Sequence, residues 1–403
     1  MHIPKLSLNT HAELLNFIIP FLVLFFLAIL VATNGIGSNG LILIFAFIAW
    51  FESDLRVSWW RVVWPWLLVI AIYSILMSFN AFSQVTALRD GGEVLKGVAL
   101  SLVALYLRQI SDQQLRRVTE FVVIVLATIT MGIIAYNLYQ HSIVSFLNNQ
   151  MFDWYVNRNR LAVGFSVTSV FIAALMVGEK SSWKSILLST LWMLLAVAAL
   201  LNGSRGAIVA MICATICIVL AAIPQMGWKQ VFRLELWILP ISVVVTIVGW
   251  IFYRGTSLQK FLLHDGKGFD TGRFDIWKTV GGRVMQSPWF GYGSHAMKYD
   301  PMLEAIRNEY QVTHPHSIYI GLVYASGVVG ILFWLCFFVS FVYRMNGKFR
   351  INNELSYYLG IGLLVNILVH GLVDFDFYMF TVFVYIIVGL IMILPKTKSH
   401  INV

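Results

Sequence analysis

Charged side chains are scarce. Asp, Glu, Lys and Arg make up 12% of the 403 residues, against roughly a quarter in an average soluble domain. That shortage excludes a soluble enzyme, and it excludes a disordered chain, which lacks apolar residues and keeps its charge. Cysteine is nearly absent too. Cys213, Cys217 and Cys336 are the three, all inside apolar runs, at a spacing that fits no zinc or redox motif and no disulfide scaffold. They read as small core residues. No internal repeat, low-complexity tract or separate soluble domain is visible. No cleavable signal peptide is expected, because the first apolar run is long enough to span a membrane. What fills the space is apolar. Such residues make 59% of the chain, and mean hydropathy is +0.80. A membrane-crossing helix uses about 20 mostly apolar residues, so about 240 residues, or about 60% of such a chain, would build twelve. Composition alone therefore predicts an all-α polytopic membrane protein with little mass outside the bilayer.

Hydropathy along the chain marks twelve spans, at about 13–32, 36–51, 62–80, 91–107, 118–140, 160–178, 185–201, 206–223, 235–253, 317–342, 355–374 and 377–394. The seventh and eighth are separated by Asn202-Gly203-Ser204-Arg205-Gly206, which is turn chemistry. The net charge of +9 calls for no nucleic-acid partner, because membrane proteins concentrate Lys and Arg in their cytoplasmic loops. If both termini are cytoplasmic, the segments on that side hold fifteen basic residues, among them Arg56, Arg108, Lys180 and Arg344, while the short outer loops hold four: Arg89, Arg158, Arg160 and Arg205. The imbalance supports twelve spans with both ends inside.

One outer segment stands apart. Residues 254–316 form a hydrophilic stretch of 63 residues with eight more basic side chains, and loops that long cross the membrane regardless of charge. The chain thus divides into spans one to nine (1–253), a large outer loop (254–316), and spans ten to twelve with a short tail (317–403). The loop is expected to fold. Thr271-Gly272 opens a stretch with Ile276, Trp277, Val280 and Val284 at helical spacing. Asp300-Pro301 is an N-cap followed by proline at the first helical position, with Leu303, Ile306 and Tyr310 on one side beyond it. Arg283, Lys298 and Arg307 read as solvated loop residues.

Polar residues gather at the outer ends of the spans. Arg158 and Arg160 flank the start of the sixth, Arg205 lies between the seventh and eighth, Arg273 lies in the loop, His314 and His316 close the loop as His-Pro-His-Ser, and His370 and Asp374 sit four apart at the end of the eleventh, hence on one helical face. Ionisable groups at membrane depth are costly and mark sites or pathways. Arginine offers a permanently charged fork suited to phosphate oxygens, and histidine accepts a proton near neutral pH. Such a set would serve transfer from a phosphate-linked donor. Plainer readings stand beside it. Arg158, Arg160 and Arg205 fit headgroup-facing snorkelers, His314 fits a loop histidine, His370 and Asp374 fit a self-satisfying pair, and Gly327 and Gly330 fit close helix packing. Trp59, Trp60, Trp64 and Trp66 read as an interfacial belt. Lys96, odd within a span, has Glu93 three residues earlier as a partner. Asp374-Phe375-Asp376 has the form of the Asp-x-Asp of metal-dependent sugar transferases, but a continuing helix would point the carboxylates about 200° apart, so no metal is expected.

Together these motifs resemble a known family. His316-Ser317, nine residues, then Gly327-Val328-Val329-Gly330 looks like the His-[Asn/Ser/Gln]-x9-Gly-x-x-Gly signature of O-antigen ligases. Ser204-Arg205-Gly206, Gly272-Arg273 followed by an amphipathic helix and Ser287-Pro288-Trp289-Phe290-Gly291-Tyr292-Gly293, and Gly371-Leu372-Val373-Asp374 fit the wider O-antigen ligase and polymerase superfamily, as does a large outer loop before the tenth span. The resemblance covers about residues 155–380. Ile331-Leu332 departs from the Thr-Gly sometimes found after the ligase signature. The resemblance implies a GT-C-like, metal-independent, inverting glycosyltransferase of the bacterial inner membrane, without cofactor and with its site on the periplasmic side. The implied donor is a glycan on undecaprenyl diphosphate and the implied acceptor a sugar hydroxyl of lipid A–core. By position, His316 corresponds to the general base and Arg205 and Arg273 to the arginines that hold the diphosphate, with Arg158, Arg160, His314 and Asp374 as substrate-binding or organising residues. The nearest alternative is an O-antigen polymerase, with the same donor and a lipid-linked acceptor. A secondary transporter is a third reading, which predicts inverted repeats and midplane charges. Here the polar residues collect at one face.

Overall fold

The structure is a computed structural model and describes residues 8–30, 36–140, 158–201, 204–228, 272–346, 354–375 and 379–393. The expected ninth span, the first part of the large loop and Asp376 lie outside the described residues. Among the described residues every regular element is a helix. Three helices carry apolar stretches long enough to cross a membrane, over Ser182–Ala199, Gly206–Pro224 and Ile318–Tyr343, and six further apolar helices are shorter. This is a multi-pass membrane protein.

The helices are α1 (Leu8–Ile29), α2 (Ile36–Phe51), α3 (Ser53–Ser78), α4 (Gln84–Ala99), α5 (Ser101–Gln109), α6 (Asp112–Gln140), α7 (Arg158–Met176), α8 (Ser182–Leu201) and α9 (Arg205–Met226). Then come α10 (Arg273–Val284), α11 (Ala296–Tyr299), a 3-10 turn (Pro301–Leu303), α12 (Glu304–Tyr310), α13 (Ile318–Asn346), α14 (Leu355–His370) and α15 (Phe380–Ile393). Ten of the twelve expected spans correspond to single helices. The fourth does not. It divides at Leu100, whose ψ of −3° departs from helical geometry, and Ser101 just beyond accepts the indole N–H of Trp59 at 2.7 Å. Trp59 is therefore a core residue, whereas Trp60 and Trp64 are exposed as a belt requires. Lys96 and Glu93 pair at 2.8 Å.

Helix α14 is the hub, packing along α15, α9 and α7. Glycine permits two of these approaches: a Cβ on Gly360 would lie 2.7 Å from the Gly389 carbonyl oxygen of α15, and one on Gly362 would lie 2.4 Å from Val170 of α7. Some polar groups inside the bundle pair with one another, which the lack of water there favours. Ser166 of α7 donates to Asn366 Oδ1 of α14 at 3.1 Å. At the far end of α7, Arg116 donates to the carbonyls of Leu175 and Val177, both at 2.9 Å, which satisfies acceptors the helix terminus leaves open. The first residues of α7, α9 and α13 and the last of α14 lie at the opposite end of the bundle, and that end carries the candidate site.

The described part of the large loop, 272–316, has its own small core. Ile276, Val280, Ala296, Met297 and Leu303 bury together against Tyr324 of α13. The N-cap at Asp300 forms as expected, accepting the Met302 amide at 2.9 Å. Asp300 also accepts from Arg283 Nε at 2.8 Å and from the Tyr324 hydroxyl at 2.7 Å. Burial works against ionising this carboxyl, but those donors outweigh it and hold it below the ordinary carboxylate range. Arg283 is thus bound, not solvated, and stacks over Tyr292 with its guanidinium 4.5 Å from the ring centre. Arg307 likewise donates to the Met297 carbonyl at 3.0 Å.

Candidate active site

The His-Pro-His-Ser turn is built by backbone strain and three anchors. His316 sits at φ 51°, a left-handed conformation that persists only where surrounding contacts impose it. Its amide donates to His314 Nδ1 at 3.2 Å, the indole of Trp277 on α10 donates to the Pro315 carbonyl at 2.8 Å, and the Ile318 amide donates to the Gly371 carbonyl at 2.8 Å. The turn is thereby fixed to both the loop helix and the end of α14. The two imidazoles lie with ring centres 4.2 Å apart.

The partner of His316 is Asp374. Nδ1 of His316 lies 3.2 Å from Asp374 Oδ1, and the Phe375 amide donates to the same oxygen at 2.9 Å. A carboxylate at Nδ1 fixes the proton on that nitrogen and leaves Nε2 as a lone pair able to take a proton. Asp374 is 6% exposed, so its charge acts on the imidazole with little screening by water. The expectation that His370 and Asp374 share a helical face is not met. Helix α14 ends at His370 and a turn follows, so the carboxylate swings to His316. His370 is buried, and its Nδ1 meets no hydrogen-bond partner among the described residues.

The arginine-bearing segments converge on this pair. Arg205 is the first residue of α9, behind the N-cap position Ser204. A Cβ on the next residue, Gly206, would lie 2.8 Å from Val373 and 3.1 Å from the His370 ring, so the start of α9 abuts the turn that carries Asp374. Arg273 is the first residue of α10, behind Gly272 at φ 79°, and its charge reaches His370. The two helix N-termini add partial positive charge at the same place. Arg158 and Arg160 begin α7, at the same end of the bundle. Since Ser166 meets Asn366 across the α7–α14 contact, a rise of 1.5 Å per residue brings Arg160 to about the level of the turn after His370. Of the residues singled out in the sequence, His314, His316 and Asp374 are in direct contact, Arg273 and the position of Arg205 adjoin them, and Arg158 and Arg160 share only their end of the bundle.

Residues 188–335 match the model of the O-antigen ligase family. Over this stretch, somewhat more than a third of the chain, the sequence is similar to that family. The matched region holds Arg205, Arg273, His314, His316 and the glycines at 327 and 330, while Arg158, Arg160 and Asp374 lie outside it. An O-antigen ligase of Pseudomonas aeruginosa is similar to this chain, at 28% identity over 138 residues. That similarity covers 34% of this chain and 29% of the Pseudomonas protein, so less than a third of the relative's length is spanned.

The matched stretch contains a feature that hydropathy does not reveal. Gly327, the first glycine of the signature, interrupts α13 with φ 57° and ψ −162°. The segment Ser287–Gly293 docks into the interruption, and a Cβ at Gly327 would stand 2.5 Å from the Trp289 carbonyl. Gly327 thus serves this loop-to-helix contact, while Gly330 serves helix packing as expected, since a Cβ there would lie 2.7 Å from the Tyr73 hydroxyl of α3. A second His–carboxylate pair was also not anticipated. His295, at φ 51°, places Nδ1 2.5 Å from Oδ2 of the buried Asp90 of α4, tying the loop to the α3–α4 corner. Asp90 lies in the polar stretch of α4, beside Arg89, which was its available signal.

One atom each of His314, His316 and Asp374 falls within 4.8 Å of the others, a set that would suit an ion. Within that set His314 Nδ1 accepts from the His316 amide, and Asp374 Oδ1 accepts from His316 and Phe375, so these two atoms are already engaged within the turn.

Proposed function

We propose that this protein is a glycosyltransferase of the O-antigen ligase type. It moves a glycan from undecaprenyl diphosphate to a sugar hydroxyl of lipid A–core, at the periplasmic face of the bacterial inner membrane. The observation that carries the reading is the His316–Asp374 pair, with Nε2 of His316 left basic, at the bundle end where the segments bearing Arg205 and Arg273 meet. Both termini are taken as cytoplasmic, with 254–316 as the periplasmic loop between the ninth and tenth of twelve spans.

In this reading His316 Nε2 takes the proton of the acceptor hydroxyl, and the oxygen attacks the anomeric carbon of the donor. The bond from that carbon to the diphosphate oxygen breaks as the new one forms, and the electron pair departs with undecaprenyl diphosphate. Arg205 and Arg273, with the N-termini of α9 and α10, hold the charge that develops there. Asp374 stabilises the imidazolium and keeps the ring in its productive orientation. Arg158 and Arg160 bind the donor, and His314 holds the turn by accepting the His316 amide. A single displacement inverts the anomeric configuration. No metal or cofactor takes part.

The test uses the full chain, purified into lipid, with lipid-linked donor and lipid A–core. Wild type is expected to transfer glycan with inversion, and His316→Ala is expected to lose about 10²- to 10⁴-fold, the range for a general base. Near wild-type transfer by His316→Ala, or a product that keeps the donor's configuration, refutes the mechanism. A deletion strain separates ligase from polymerase. Bare core with accumulated lipid-linked polymer supports the ligase, whereas core bearing a single repeat unit assigns the protein to the polymerases.

A further inference from the structure

Segment Ser287–Gly293 is bonded to a membrane helix along its main chain. The amides of Tyr292 and Gly293 donate to the carbonyls of Tyr324 and Ala325 at 3.0 and 2.8 Å, and the amides of Val328 and Val329 donate to the carbonyls of Pro288 and Trp289 at 2.9 and 3.0 Å. The break at Gly327 frees backbone groups of α13, and inside a bilayer only protein can satisfy them. The segment does so, and Gly291, at φ 64°, makes room, because a Cβ there would stand 2.6 Å from the α13 backbone.

This contact lies below the membrane surface. The apolar stretch of α13, Ile318–Tyr343, has 26 residues. At 1.5 Å per residue it is about 39 Å long, against about 30 Å of hydrocarbon. With Arg344 marking one boundary, Gly327 stands about 26 Å above it, hence about 4 Å inside the other boundary. The side chains agree. Val328, Val329, Leu332, Leu335 and Val339 form an exposed apolar stripe along α13, which is its lipid-facing side. Trp289, whose carbonyl accepts from the Val329 amide, and the next residue, Phe290, are 64% and 51% exposed and continue that stripe. A tryptophan and a phenylalanine exposed in water would have no compensation, whereas the boundary between headgroups and acyl chains suits both rings.

We propose that Ser287–Gly293 is a re-entrant wedge whose tip, Trp289–Phe290, is seated among the bilayer lipids of the leaflet on the site side. The wedge fixes the height of the large loop relative to the membrane. Because Trp277 of that loop holds Pro315, the wedge also fixes the height of the His-Pro-His-Ser turn. The inference rests on the membrane spans and not on the reaction.

The test is spin-label depth measurement on the full chain in phosphatidylcholine–phosphatidylglycerol vesicles. Cys213, Cys217 and Cys336 are first replaced by serine or alanine, and single cysteines are then placed as Trp289→Cys, Phe290→Cys, Leu332→Cys and Lys278→Cys. Labels at 289 and 290 are expected to collide with oxygen more than with a water-soluble nickel chelate, as at 332, and the label at 278 is expected to show the reverse. Nickel accessibility at 289 and 290 matching that at 278 overturns the proposal, since the tip then lies in water. Low accessibility to both reagents also overturns it, since the occupant is then protein, such as a second copy of the chain. If Trp289→Cys does not fold, Phe290→Cys decides, because the two side chains share the tip.

Discussion

At the residue scale the site turns on one carboxylate. Asp374 holds the tautomer and angle of His316 from a turn, so exchanging it for asparagine keeps its size and removes its charge. The same change in the Ser-His-Asp triad costs about 10⁴-fold in turnover. Asp374→Asn is therefore expected to lower kcat of glycan transfer by on the order of 10² or more with little change in KM for the donor. Steady-state kinetics of the purified variant checks this, and an unchanged kcat would leave Asp374 a structural cap. Arginine at 205 makes a different demand. Arg205→Lys keeps the charge and loses the fork, so it is expected to raise the donor KM and lower kcat together, and unaltered turnover in that variant would count against diphosphate clamping. Which histidine Asp374 meets was not legible in the sequence. Spacing paired it with His370, four residues away, because a continuing helix puts i and i+4 together. The helix stops at His370, and the partner that prevails is 58 residues distant along the chain.

At the element scale, hydropathy located most helices because it sums composition over about twenty residues, and composition is what the bilayer selects. It is blind to single dihedral angles. The break at Leu100 and the break at Gly327 change ψ or φ at one residue while the run stays apolar, so both lay beyond its reach, as did the docking of Ser287–Gly293. The glycine signature did name the right position, without its reason. Gly327→Ala tests that reason. Alanine at φ 57° is strained, and its Cβ would stand 2.5 Å from a carbonyl that is backbone and cannot step aside. A loss of about 2 kcal/mol or more is expected, read as a lowered melting temperature in detergent, and wild-type melting would mean that α13 straightens at no cost. The loop core carries a pH signature as well. Asp300 is held below its ordinary range by Arg283 and Tyr324, so its contribution is present above the unfolded carboxylate pKa, about 3.9, and is lost as pH falls through the lower folded value. Asp300→Asn is expected to unfold the loop at lower temperature at neutral pH and to narrow its gap from wild type in strong acid. Melting curves against pH check this, and a gap that does not narrow would assign the contribution to shape alone.

At the scale of the whole molecule the arrangement answers a problem of two solvents. The apolar bulk of the chain builds helices, yet the proposed chemistry requires arginines and histidines in one place. They are gathered where helices begin or end, so each charged group reaches water or a partner without crossing the hydrocarbon. Orientation then decides which compartment holds the site, and the only guide to it is the count of Lys and Arg: fifteen on the side taken as cytoplasmic against four in the short loops opposite. That asymmetry predicts that Lys180 faces the cytoplasm and Lys278 the periplasm. In a background without the native cysteines, Lys278→Cys is expected to react with a membrane-impermeant maleimide on intact spheroplasts, and Lys180→Cys only after lysis. The reverse pattern would invert the chain, place His316 and Asp374 on the cytoplasmic face, and remove the periplasmic transfer reaction altogether. Labelling of both sites from outside would mean that the number of spans between them is even, contrary to the count of twelve. With the sixth span above Lys180 and the tenth below the loop, that count needs an odd number between the two positions, supplied by the seventh, the eighth and the apolar stretch at 235–253.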